Sequence, residues 1–380
     1  MDSLTQIVLG AAVGEVVLGK KIGNKAMLWG AIAGTIPDLD VYQSLFYDKL
    51  TANELHRGFS HSILFSIIFA PILAWLVKQK EKITLAILLI IILGYPLISA
   101  GNLLVQAILA IILLALLIIV YRHKFDTGHL ANQKDWTRLM FWSLITHPIL
   151  DCHTTWGTQL LWPLKAKLAW NNIFVLDPLY TVPFLILVTI AMFYSRQSST
   201  RKWLVISGIS ISSLYMIWSL GVKWHTYTIF EKNLANQGIE YSRLTTVPTP
   251  FNTFLWSGTA DSDSFYYNGL YSIFDKEPQI QFSKIPTYHK NIAQFQDKES
   301  VDRLIFLSKN WYVLRENADS SVNFNDARFG PMYVQEDVPQ YGFGYRLVER
   351  NGELTVTQPE PEMEQMGEVM TILWNRIWGK

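Results

Sequence analysis

Two imidazoles bracket a glycine in His56-Arg57-Gly58-Phe59-Ser60-His61-Ser62, just ahead of a long apolar run. Two other pieces are suited to meet them. Pro37-Asp38-Leu39-Asp40 closes an earlier apolar segment, and His147-Pro148-Ile149-Leu150-Asp151 closes a later one. Neutral imidazole and carboxylate are usual ligands of zinc and similar divalent metals. His147 and Asp151 are four apart, so on a helix they share a face, with Pro148 marking a bend. Asp38 and Asp40 follow a proline, in an extended turn whose carboxylates can enter one cavity. The expected metal ligands are therefore Asp38, Asp40, His56, His61, His147 and Asp151, enough for one or two ions with an open position for water. Zinc is the expected ion, and Asp38 or Asp40 is the candidate base. Any one of the six, taken alone, reads more readily as a cap, a turn residue or an interfacial histidine. The argument for a metal rests on all six together.

Glu15 stands apart, as an ionisable residue in an apolar segment. It reads as a ligand, a catalytic base or a neutralised partner of Arg57. Downstream of Asp151, the hydroxyls of Thr154 and Thr155 and the backbone at Gly157 are suited to line a pocket for an anionic group. Lys165 and Lys167 stand in the same loop and would attract an anionic headgroup. Trp156, Trp162 and Trp170 favour a membrane interface.

The elements that must position these residues are apolar segments. They run over 4–18, 26–37, 62–77, 83–99, 103–121, 139–151, 178–195 and 203–222. A spanning helix needs about 20 apolar residues. Segments 4–18, 26–37 and 139–151 are short, so they are expected to lie buried among the others. The 103–121 run is almost unbroken aliphatic, which argues against one large soluble helical protein. If all eight segments cross, Lys20, Lys21, Lys25, Lys78, Lys80, Lys82, Arg122, Lys124, Lys134, Arg138, Arg196, Arg201 and Lys202 fall on one side. The positive-inside rule makes that side cytoplasmic. All six candidate ligands then fall on the outer side. His123 and His129 fall on the cytoplasmic side, away from them.

Composition sharpens the division. The 380-residue chain has room for two domains; half of it is hydrophobic and 17% is charged. The apolar runs end near Val222, and the rest is polar and aromatic. The expected organisation is a polytopic α-helical membrane domain over 1–222 and an extracytoplasmic α+β domain over 223–380. Within the latter, 224–237 reads as an amphipathic helix and 361–378 as a closing helix. Runs 241–247, 251–257, 265–274, 303–307, 311–315, 345–350 and 353–357 read as strands. Phe265-Tyr266-Tyr267 reads either as a cover for the site or as strand packing. A net charge of +1 gives no argument for nucleic acid. The single cysteine, Cys152, excludes an internal disulfide and a cysteine-based zinc cluster. Met1-Asp2-Ser3 is acidic and no small-residue cleavage site follows, so the first segment is expected to be retained.

Taken together, Pro37–Asp40, His56–Ser62, His147–Asp151 with Thr154-Thr155-Trp156-Gly157-Thr158, and Leu161-Trp162-Pro163 resemble the YdjM-type family of membrane-bound metal-dependent hydrolases. That family is also described as LexA-binding and inner-membrane-associated, and is grouped distantly with zinc-dependent phospholipase C. The resemblance covers roughly residues 1–200. It implies a zinc-dependent hydrolase of the inner membrane that acts on a phosphoester, with membrane lipids around it and a lipid-linked substrate. Met1-Asp2-Ser3-Leu4-Thr5-Gln6 is similar to the family's Met-Asp-x-x-Thr-His opening. Gln6 stands where that opening has histidine, which removes one metal contact if the histidine is a ligand. The LexA description has no counterpart here: no basic groove or helix is patterned for DNA. A transporter component and a non-catalytic sensor or assembly factor with a structural metal are the competing readings.

Overall fold

The computed structural model describes residues 1–122, 130–335, 338–359 and 363–379. His123, Lys124 and His129 lie outside them. The helices are α1 (Ser3–Ile22), α2 (Asn24–Thr35), α3 (Lys49–Leu55), α4 (Ile63–Ser99), α5 (Leu103–Arg122), α6 (Gln133–Asp151), α7 (Pro178–Ala191), α8 (Ser199–Asn236), α9 (Lys298–Leu307) and α10 (Met363–Ile377). The strands are β1 (Arg243–Pro248), β2 (Leu255–Ser262), β3 (Phe265–Ser272), β4 (Ser283–Pro286), β5 (Tyr312–Glu316), β6 (Val322–Asp326), β7 (Tyr333–Gln335), β8 (Val338–Gln340), β9 (Gly344–Arg350) and β10 (Glu353–Thr357). The chain divides into two compact units. One comprises residues 1–46, 55–169 and 178–215, and the other 47–54, 170–177 and 216–380.

In the first unit, α1 and α2 approach backbone to backbone. A Cβ added at Gly10 would lie 2.3 Å from the Gly30 carbonyl oxygen, and one at Gly14 would lie 2.1 Å from that of Ala26. Small residues allow this approach where apolar lipid gives helices no solvent-driven reason to associate. Asp2 caps α1 by accepting from the Thr5 N–H at 3.0 Å. An Asn132–Asp135 capping box starts α6, which continues through Pro148 to Asp151. The core joins Trp29 and Ile32 of α2, Phe65 and Leu73 of α4, and Leu139 and Leu144 of α6. The short segments expected to be buried, α2 and α6, do carry much of this core.

Helices α1, α4, α5 and α8 are long and apolar enough to cross a membrane; α7 is apolar but shorter. The segments 62–77 and 83–99 are the two helical halves of α4, separated as expected by a break at Lys80, whose φ of −141° and ψ of 54° are not helical. The break falls within the Lys78–Lys82 connector. Segment 203–222 and the expected helix 224–237 are one element, α8.

The second unit is α+β. Two antiparallel sheets run in the orders β1-β2-β3-β4 and β10-β9-β6-β5, with a separate β7-β8 hairpin. Residues 303–307, expected as a strand, are the end of helix α9. Asp297 caps that helix, and Val301, Leu304 and Leu307 bury one helical face. Tyr266 is fully buried within β3, opposite Ile285, so strand packing accounts for it. Residues 47–54 and 170–177 belong to this unit for packing reasons. Leu50 shares a core with Leu304 and Phe324, and the Asn172 amide donates to Ser219 Oγ at 2.7 Å.

Candidate metal centre

Four donors converge in the first unit. They are Asp38, on the 3-10 turn Ile36–Leu45; His61, on the 3-10 turn Phe59–His61; and His147 and Asp151, on the last turn of α6. Proline at the start of the first turn and the Ser62 cap of α4 after the second fix where these turns begin and end. His61 Nε2 lies 3.4 Å from Asp38 Oδ1 and 3.4 Å from Asp151 Oδ2. His147 Nε2 lies 3.3 Å from Asp38 Oδ1 and 3.5 Å from Asp151 Oδ2. The two Nε2 atoms are 3.2 Å apart. A tetrahedral ion with bonds of about 2.0–2.1 Å has donor–donor edges of about 3.3–3.4 Å. Five of the six donor–donor edges thus match a zinc-sized shell, and the sixth, between Asp38 and Asp151, is within 4.8 Å.

The ring hydrogen bonds agree. His147 Nδ1 is 2.5 Å from the Gly34 carbonyl oxygen and so carries the proton it donates. His61 Nδ1 lies 3.3 Å from Asp40 Oδ2 and 3.0 Å from Ser60 Oγ. With both Nδ1 atoms donating, both Nε2 atoms turn lone pairs toward each other, and only a cation or a proton between them relieves the repulsion. Asp151 Oδ2 is also buried; it makes no hydrogen bond but lies 3.1 Å from Arg57 Nε, while Oδ1 accepts from Gln6 Nε2 at 3.0 Å and from the Met1 amino group. The residues present thus fit a divalent metal.

Without an ion, protons take its place. Burial pulls the His61 pKa down, but Asp40, Asp151 and Asp38 outweigh it and push it up to about 10. Burial raises the Asp38 and Asp40 carboxyls, yet the neighbouring histidines hold both below the usual carboxylate range.

Asp40 and His56 sit beside the four-donor set: His56 Nδ1 is 2.9 Å from Asp40 Oδ1, and Asp40 Oδ2 faces His61 and accepts from the Arg57 N–H at 2.8 Å. Asp40 thus orients His61, with its carboxylate on the ring nitrogen away from the four-donor set. The structure does not bring Glu15 here. It lies nine residues beyond Gln6, about 13.5 Å along the helix, and takes a two-pronged ion pair from Arg201 at 2.6 and 2.5 Å. Arg57, its expected partner, instead faces Asp151 and Thr154. Thr154 Oγ1 accepts from Arg57 Nη1 at 2.7 Å and donates to the Asp151 carbonyl at 2.8 Å. Thr155 is half-buried in the same turn. Gly157 has a φ of 78°, and a Cβ there would meet the Leu168 carbonyl oxygen at 2.9 Å. Lys167 Nζ donates to the His56 carbonyl at 2.8 Å and lies 5.4 Å from the Trp156 ring centre. Lys165 is exposed. Gln6 takes part here: its amide nitrogen donates to the Asp151 oxygen turned away from the set, and its Oε1 is buried without a hydrogen bond. Sequence reasoning gave no role to Ser60 or the Gly34 carbonyl; the signal for both was only their adjacency to the motifs.

Comparison with family models matches residues 1–100 and 103–225 to the family described as YdjM inner membrane protein. Comparison with curated proteins gave no match, and neither did comparison with solved structures.

Proposed function

The chain belongs to the YdjM inner membrane protein family, and from that premise we propose that it is a membrane-embedded, zinc-dependent hydrolase acting on a phosphoester with a lipid anchor. The observation that carries this reading is the convergence of Asp38, His61, His147 and Asp151, with five of the six donor–donor distances at 3.2–3.5 Å. A bound divalent ion supplies Lewis acidity, polarising the scissile group and acidifying water. The residues of the chain do the rest. Asp40 and the Gly34 carbonyl hold the two imidazoles in the required tautomer. Asp38, whose side chain is 21% exposed, is the donor that solvent reaches, and it is the group placed to take a proton from an incoming water.

The lipid anchor is supported by apolar side chains left open next to the His56–Ser62 stretch. Phe59 and Trp162 stack edge to face at 4.9 Å, and both are exposed, as are Leu161 and Leu164. Lys165, exposed in the same loop, suits an anionic headgroup. The basic connectors support placing the site and the C-terminal unit outside the cytoplasm. A C-terminal reporter active only in the cytoplasm should stay silent; a strong signal would reverse that sidedness.

One observation favours a second reading. Four protein donors fill a tetrahedral shell, and closed shells are typical of structural zinc. In that case the protein is a non-catalytic sensor or assembly factor. Asp38→Asn separates the two. As an enzyme, the variant loses turnover of a lipid phosphoester while the protein stays folded. As a structural site, it loses thermal stability, and no lipid phosphoester is turned over even by the wild type.

A further inference from the structure

Arg57 stands beside the four donors, facing Asp151 and Thr154. It is 5% exposed, and its φ of 58° lies in the left-handed region that favours glycine. A bulky residue held in that conformation costs free energy and persists where the surroundings enforce it. Here both sides of its backbone are tied. Its N–H donates to Asp40 Oδ2 at 2.8 Å, and its carbonyl accepts from the Gln159 N–H at 3.0 Å. The side chain is directed just as firmly, with Nη1 donating to Thr154 Oγ1 at 2.7 Å. Nε lies 3.1 Å from Asp151 Oδ2, outside hydrogen-bond geometry, and is buried with no other acceptor. A buried donor without an acceptor is unusual and costly. The oxygen it faces, Asp151 Oδ2, is one of the four donor atoms.

We propose that Arg57 is the anion receptor of this site: its guanidinium receives an oxygen of the substrate's phosphoryl group beside the four donors. This rests on the phosphoester reading above and adds the group that selects an oxyanion. A guanidinium is always charged, and its planar fork matches phosphate oxygens better than an ammonium does. Thr154 and the Asp40 contact hold it in place beforehand, so little reorganisation accompanies arrival of the anion. If Arg57 served only to offset the charge of Asp40 and Asp151, a lysine would serve as well, and that difference can be tested.

The test is calorimetric binding of two probes to the purified full chain in detergent, loaded with zinc: inorganic phosphate and a short-chain phosphatidate. Zinc content is measured in every sample. Wild type should bind at least one probe, and the tighter one identifies the source of the oxyanion as free phosphate or lipid headgroup. Arg57→Gln should weaken binding by about 10- to 100-fold. Arg57→Lys and Thr154→Val should each weaken it several-fold with zinc content unchanged. The proposal is overturned if neither probe binds wild type, or if Arg57→Lys and Thr154→Val both bind as tightly as wild type. Either outcome overturns it even if Arg57→Gln does not fold. Binding that needs Arg57 but is unaffected by chelating the zinc would keep the receptor and sink the metal-hydrolase reading. Binding that needs zinc but not Arg57 would do the reverse.

Discussion

Helices α5 and α6 have 20 and 19 residues and occur in succession, yet they contribute in opposite ways. Helix α5 is nearly pure aliphatic, and of its residues only Val120 is buried. Helix α6 carries lysine, aspartate, arginine and two threonines. It buries Trp136, Leu139, Met140 and Leu144 and ends on His147 and Asp151. In water the more apolar helix would be the core. In a membrane, lipid already satisfies aliphatic surface, and the interior goes to elements that offer close packing or polar contacts. Greasiness therefore marks the outer surface of this unit, and residual polarity marks its working centre.

That contrast can be broken or sharpened by substitution. The largest effect belongs to the donor end of α6. His147→Ala and Asp151→Ala should each abolish stoichiometric metal binding, read as metal content after purification. Retention of a full equivalent in both would remove α6 from the metal site. Next comes the body of α6. Leu144, fully buried, should cost about 2–5 kcal/mol as Leu144→Ala in thermal unfolding. Leu114 of α5, 60% exposed, should stay within about 0.5 kcal/mol as Leu114→Ala. Equal losses in the two helices would contradict the division of labour.

A smaller effect is expected one step behind the donors. Asp40→Asn should keep the site but lower metal affinity by about 10- to 100-fold, because His61 loses its orienting carboxylate. Metal loss as complete as in Asp151→Ala would instead put Asp40 among the ligands. Acidity gives the most graded effect. The His61 pKa is raised to about 10 by the surrounding carboxylates. The protonated ring thus stabilises the metal-free protein fully below its unfolded value of about 6.5, and this support is lost as pH rises toward 10. Metal competes for the same nitrogen, so apparent affinity should rise about tenfold per pH unit across that window, with a proton released on binding. A flat profile from pH 7 to 9 would show that His61 is not displaced by the ion.

Much of this was legible in sequence. Asp38, His61, His147 and Asp151 stand at the ends of apolar runs, and the i, i+4 spacing of His147 and Asp151 survives Pro148 because α6 continues through it. The helical course of the first unit followed from the same runs. What sequence spacing could not separate was donor from supporter. Asp38 and Asp40 are two apart, and only the fold turns one toward the donor set and the other toward the His61 Nδ1. Glu15 was misplaced because its partner, Arg201, is remote in sequence. The strand expected at 303–307 failed because Leu304, Ile305 and Leu307 alone do not distinguish period 2 from 3.6, whereas the cap at Asp297 does. The unit boundaries were hidden because stretches 47–54 and 170–177 leave the first unit and return to it.

The central claim is that one divalent ion sits among two imidazole nitrogens and two carboxylate oxygens. X-ray absorption at the metal edge of the purified full chain tests it most directly. The account predicts one equivalent of metal with a shell of nitrogen and oxygen at about 2.0–2.2 Å, showing the outer-ring scattering of two histidines. That scattering should fall to one histidine or vanish with the metal in His61→Ala. A chain that binds no metal, or an ion whose shell lacks histidine scattering, would contradict it.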